Sequence, residues 1–138
     1  MISNTIIATF LMCCTFFDIK TKQIPMKLIV VFTFLIVGFC FINNFFYYWD
    51  FLLRLMPGAF LILIAFITNQ ALGYGDGVVV ILIGMMLDFQ ITITFILIAF
   101  LLSAITSIFI LITKKGNRQT KLPFIPFLLV SWCILLIF

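Results

Sequence analysis

The sequence predicts an all-α fold, a polytopic membrane bundle of about six helices, built as one domain over residues 1–138. Three observations carry that reading. Hydrophobic types make up 66% of the chain and charged types only 9%, whereas a soluble domain carries about 25% charged residues to cover its surface. The mean hydropathy is +1.41. Polar clusters cut the chain into apolar runs rich in Ile, Leu, Phe and Val without strict alternation, which favours helices over barrel strands. A span needs about 20 residues, so the chain has room for about six spans and little else. This composition excludes a soluble enzyme, a nucleic-acid-binding domain and a disordered protein.

The first apolar segment runs from about Ile2 to Phe17 and ends at Asp18 and the polar stretch through Lys27. No Lys or Arg precedes position 20. A signal peptide carries positive charge ahead of its apolar stretch, so this segment is expected to be a retained span. The second covers roughly Leu28 to Phe46 and stops in Phe46-Tyr47-Tyr48-Trp49-Asp50, an aromatic cluster suited to the membrane–water interface. The third runs from about Phe51 to Thr68 and is followed by Asn69, Gln70 and the glycine-rich stretch Gly73-Tyr74-Gly75-Asp76-Gly77. Asp50 and Arg54 are four apart, acid first, the ordinary orientation for a helix-surface ion pair. The fourth segment, Val78 to Leu87, is short and stops at Asp88. At about 15–18 Å as a helix it could be re-entrant, but the charge pattern favours a crossing. The fifth runs from about Ile91 to Thr113, with Ala99, Ser103 and Ser107 on one face for close helix packing. The last runs from Leu122 to the C-terminus.

Charge sets the expected topology. With six crossings, Lys20, Lys22, Lys27, Lys114, Lys115, Arg118 and Lys121 share one side and only Arg54 lies on the other. The positive-inside rule makes the first side cytoplasmic and puts both termini outside. Asp18 and Asp76 then fall on the cytoplasmic side, and Asp50 and Asp88 on the far side.

The ionisable inventory limits the chemistry. There is no His, and all four acids are Asp, so a His base, a Ser-His dyad and a His-ligated metal are excluded. Cys13, Cys14, Cys40 and Cys133 lie in apolar runs without C-x-x-C spacing and read as small buried hydrophobes. No metal or cofactor is expected. Acids near hydrocarbon are functional candidates by default. Asp18 alone also reads as an interfacial acid offset by Lys20 and Lys22. Asp76 stands among three glycines at the start of a helical segment, more than a capping turn requires. Two carboxylates held together share a proton, one serving as base towards water and the other as acid towards a carbonyl. Nothing in their spacing shows that Asp18 and Asp76 meet.

At these residues the chain resembles a known family. Gly73-x-Gly75-Asp76 reads as the G-x-G-D signature of intramembrane aspartic proteases. With Asp18 and Ile24-Pro25, it resembles the prepilin peptidase (type IV leader peptidase) family. Asp18 stands seven residues before Pro25, as the family's first catalytic Asp does before its Pro, and Pro123-Phe124-Ile125-Pro126-Phe127 reproduces an element that opens the family's final helix. The resemblance implies Asp18 and Asp76 as catalytic pair and Gly73, Gly75 and Pro25 as shapers of the active-site loop. It implies prepilin or pseudopilin precursors as substrates, cut after a Gly at the cytoplasmic face of the inner membrane. Val78 stands where the family commonly has Lys, and Met26 where it often has Asn. The Cys-rich N-terminal region of longer bifunctional members is absent, so the resemblance implies a minimal peptidase without methyltransferase activity.

Two other readings remain open at this point. Intramembrane Asp residues also serve proton- and cation-coupled transporters, and a pilus-assembly scaffold would need no chemistry at all. A family member that has lost activity would fit Val78. Cleavage that depends on both Asp residues separates these readings.

Overall fold

The computed structural model describes residues 2–21, 25–43, 48–68, 73–113 and 123–137. Among these residues it is all-helical: α1 (Ile2–Thr21), α2 (Met26–Ile42), α3 (Tyr48–Ile67), α4 (Tyr74–Gly84), α5 (Phe89–Ile112) and α6 (Ile125–Ile137). The helices follow the apolar segments in number and order but not in extent. The α1 helix continues past Phe17 to Thr21, so Asp18 sits on the helix rather than beyond it. Pro25 is the N-cap of α2, in extended conformation, and its carbonyl accepts the N–H groups of Leu28 and Ile29 at 2.9 and 3.4 Å. A residue that has no N–H and a fixed φ is well placed there. The α4 helix begins at Tyr74, ahead of its apolar run, and stops at Gly84, short of Leu87.

Close approach of α3 and α4 organises one half of the molecule. Gly58 faces Ile81, Gly77 faces Ile62 and Gly84 faces Arg54, an order that makes the two helices antiparallel. A Cβ on Gly84 would lie 2.6 Å from the Arg54 carbonyl oxygen, and one on Gly77 would lie 2.5 Å from Ile62 Cγ1. Small residues permit such contact where no water drives helices together. Gly77, Val79, Val80, Leu82, Ile83 and Gly84 are all buried, and a helix apolar nearly all round belongs in a core.

With 11 residues, α4 rises only about 16 Å, roughly half the thickness of a bilayer's hydrocarbon. The chain continues as the non-helical stretch Met85–Leu87, whose three residues are at most 8% exposed. Irregular backbone at such depth is tolerated only inside protein, where its polar groups find partners. Here Met86 and Leu87 donate their N–H groups to the Ile83 carbonyl at 3.0 and 3.1 Å. The Met85 carbonyl accepts the Cys40 thiol at 3.6 Å, joining α2 to the end of α4.

The other half is built around α6, which packs on both α1 and α5. Phe95 meets Trp132 edge-on at 6.2 Å, and Phe100 meets Phe124 at 5.1 Å. Ala99 is buried, whereas Ser103 and Ser107 are half-buried, so the small-residue face of α5 closes on its neighbours only over its first half. Cys14 and Cys40 are buried as expected, and Cys13 is half-buried. Cys133 is exposed instead.

The outer surface is apolar. Phe34, Phe41, Phe60, Phe66 and Phe109 are all more than 60% exposed, an arrangement that a water-soluble monomer avoids. Trp49–Ile67 and Phe89–Ile112 are long and apolar enough to cross a bilayer. The hydroxyls of Thr9, Thr33 and Thr94 bond back to the carbonyl one turn earlier at 2.7, 2.7 and 2.9 Å, which satisfies them without water. These features describe a membrane protein.

Candidate active site

The end of α1 meets the start of α6, and the start of α4 lies within electrostatic reach of Asp18. Asp18, on the last turn of α1, is only 7% exposed. Its Oδ2 accepts the backbone N–H of Ile125 at 3.3 Å, so it is bound to the Pro123–Phe127 element. Lys20 does not offset it. The Lys20 ammonium lies 6.0 Å from the Phe16 ring centroid, and no ion pair to Asp18 forms among the described residues. Lys22 lies outside the described residues.

Asp76 is the third helical residue of α4, whose N-cap is Gly73. Its N–H donates to the Gly73 carbonyl at 3.1 Å, and its carboxyl turns back towards Gly73, whose N–H favours the ionised form. Only the acid's half of a capping box is present, with Asp76 at the position that reaches back to the N-cap, because Gly73 has no side chain to return the bond. Gly73 has φ −67° and ψ 136°, a conformation open to any residue. Its value is space, because a Cβ there would stand 3.2 Å from Asp76 Oδ2. Gly75 lies in the first turn of α4 rather than in a loop. Gly77 serves the contact with α3.

Both carboxyls lie just beyond the apolar runs 2–17 and 78–87. Burial raises the Asp18 pKa, and the Ile125 N–H opposes that rise. Asp76 is pushed up from 3.8 to about 7 by burial and by the neighbouring Asp18 charge, against the Gly73 N–H. Two carboxylates that repel in a partly desolvated site favour one shared proton. Each also faces the positive end of a helix, α6 for Asp18 and α4 for Asp76. The arrangement therefore favours one ionised and one protonated carboxyl.

The remaining acids belong elsewhere. Arg54 Nη2 lies 3.2 Å from Asp50 Oδ2 and 2.7 Å from Asp88 Oδ1. The sequence pattern predicts only the first pair. The second exists because Asp88, as N-cap of α5, keeps its carboxylate free of capping and turns it towards α3. This cluster sits at the end of α4 opposite Asp76, where Gly84 meets Arg54. Among the described residues no group of three or more Cys or Asp side chains is placed to hold a metal.

Site and fold together define a helical membrane protein with two carboxyls at helix ends, near enough for the charge of one to act on the other. The type IV leader peptidase family model matches residues 5–108, which is most of the chain and includes both Asp residues. The chain belongs to that family, and the family is one of proteases. The match ends before Pro123–Phe127, so that element stands on its own contact with Asp18. No curated protein and no solved structure matches the chain.

Proposed function

We propose that the protein is an aspartic endopeptidase that removes leaders from prepilin or pseudopilin precursors, with Asp18 and Asp76 as its acid–base pair. In this reading the whole chain is one domain of six spans in the inner membrane, with the pair facing the cytoplasm and both termini outside. What supports the proposal is that the Asp18 charge reaches Asp76, on a helix distant in sequence, in a chain of the leader peptidase family.

The ionised carboxylate takes a proton from water as the water oxygen attacks the carbonyl carbon of the peptide bond. The protonated carboxyl donates to the carbonyl oxygen. In the collapse, the C–N bond breaks, the leaving nitrogen takes a proton from the first carboxyl, and the second recovers its own from the intermediate's hydroxyl. The pair returns to its starting state carrying one proton, and its titration belongs to the pair rather than to either residue. Gly73 leaves room for Asp76, and Pro25 starts α2 a short distance after Asp18.

The test is cleavage, in membranes, of a precursor with a short basic leader and a Gly before an apolar helix. Asp18→Asn and Asp76→Asn should each abolish cleavage while membrane insertion stays normal. Turnover at the wild-type rate by either variant would remove the pair from the mechanism.

A further inference from the structure

The first turn of a helix has N–H groups with no partner inside the helix, and each must find one elsewhere. In α6 those from Ile125 onward can be traced. Phe127 and Leu128 donate to the Phe124 carbonyl at 3.0 and 3.3 Å. Pro126 has no N–H. The donor that remains is that of Ile125, and it goes to Asp18 Oδ2 at 3.3 Å.

The surroundings hold this donor in place. Ile125 and Leu128 are fully buried, and Phe124 is 7% exposed with its ring 5.1 Å from that of Phe100 on α5. The α6 helix packs along both α1 and α5, so its first turn cannot drift without disturbing two interfaces. Asp18 is equally enclosed, and water has little access to replace a lost bond.

We propose that the Pro123–Phe127 turn is a positioning element of the peptidase, in which the Ile125 N–H fixes the Asp18 carboxylate in its working orientation. The inference rests on the reading of Asp18 as catalytic. Ile125 itself touches no substrate; it acts through Asp18. Pro126 contributes by removing the neighbouring N–H, so that a single donor addresses the carboxylate.

The experiment compares three changes at residue 125, with the same precursor cleavage assay and with membrane insertion measured alongside. Ile125→Pro removes the N–H at the first helical position, where Pro is well tolerated. Replacing Ile125 by its α-hydroxy acid makes a backbone ester that keeps the side chain, and it decides the matter if the Pro variant fails to insert. Ile125→Ala keeps the N–H and removes more side-chain volume than the other two. Loss of a hydrogen bond to a charged group should lower kcat by about 10- to 100-fold in the Pro and ester variants. KM should stay within about twofold, since substrate binding is untouched. The Ala variant should keep kcat within about threefold of wild type. A purely structural role for Ile125 predicts the opposite order, with Ala the most damaged. Wild-type kcat in the ester variant, or a loss in Ala equal to that in Pro, overturns the proposal. Asp18→Asn is assayed in parallel: its inactivity beside a fully active ester variant leaves the acid–base pair standing and removes only the positioning role. Activity in Asp18→Asn removes both.

Discussion

Gly58→Ala tests whether the contact between α3 and α4 sets the geometry of the site. A Cβ at Gly58 would lie 2.6 Å from the Ile81 nitrogen and 2.9 Å from its Cα, where ordinary contact begins at 3.4 Å. Both atoms are backbone, so no rotamer change relieves the clash, and the helices must part by about 0.8 Å at that level. Overpacking of this kind costs about 1–3 kcal/mol, while Ala in place of Gly returns up to about 1 kcal/mol of helix propensity. The clash therefore wins, and the variant should lose about 1–2 kcal/mol of stability. Asp76 rides on α4, and a misplacement near 1 Å can cost about 100-fold in rate. Cleavage should fall by about 10- to 100-fold even where the variant is fully folded. Gly38→Ala is the control, since a Cβ there meets nothing within 4 Å and the same propensity gain is unopposed. Thermal unfolding in detergent and precursor cleavage, measured on both variants, provide the comparison. Wild-type stability and turnover in Gly58→Ala would refute the argument that α3 positions Asp76.

Other outcomes follow from the charged groups. Asp88→Asn should cost at most about 1 kcal/mol and leave cleavage intact, because Asp50 still pairs with Arg54; Asp50→Asn should behave likewise, and loss of cleavage without unfolding in either would tie that cluster to the chemistry. Asp76 binds its proton more tightly folded than unfolded, so stability should fall as pH rises from about 4 to about 7 and level off above. The slope should shrink in Asp76→Asn to the part that the buried Asp18 contributes, and an unchanged slope there would assign it to another group. Chelators should leave cleavage unchanged, because the chain lacks His and Glu; inhibition reversed by added metal would count against the acid–base pair.

Composition made the membrane class legible, and the apolar runs without alternation made it helical rather than a barrel. The apolar runs located the helices but not their ends, since α1 and α4 carry polar residues in their terminal turns. The influence of Asp18 on Asp76 was not legible from the residues themselves, because separation along the chain sets no distance in space. The resemblance to the family supplied that pairing. Asp18 gains a partner that no side-chain pattern encodes, a backbone N–H, although Pro126 just inside α6 is a recognisable start signal. Gly58 and Gly84 passed as ordinary members of apolar runs, and their use became visible only against Ile81 and Arg54. The orientation reading rests largely on Lys22, Lys114, Lys115, Arg118 and Lys121, which lie outside the described residues, as does Ile24.

The enclosure of α4 also determines what Asp76 is measured against. Helices that touch lipid adapt to a thicker or thinner bilayer by tilting. A helix walled in by protein has its height set by its neighbours, here through Gly77 against Ile62 and Gly84 against Arg54. Asp76 is thus registered to α3 like a mark on a ruler, and changes in lipid length should move the substrate relative to the site while leaving the site itself undisturbed.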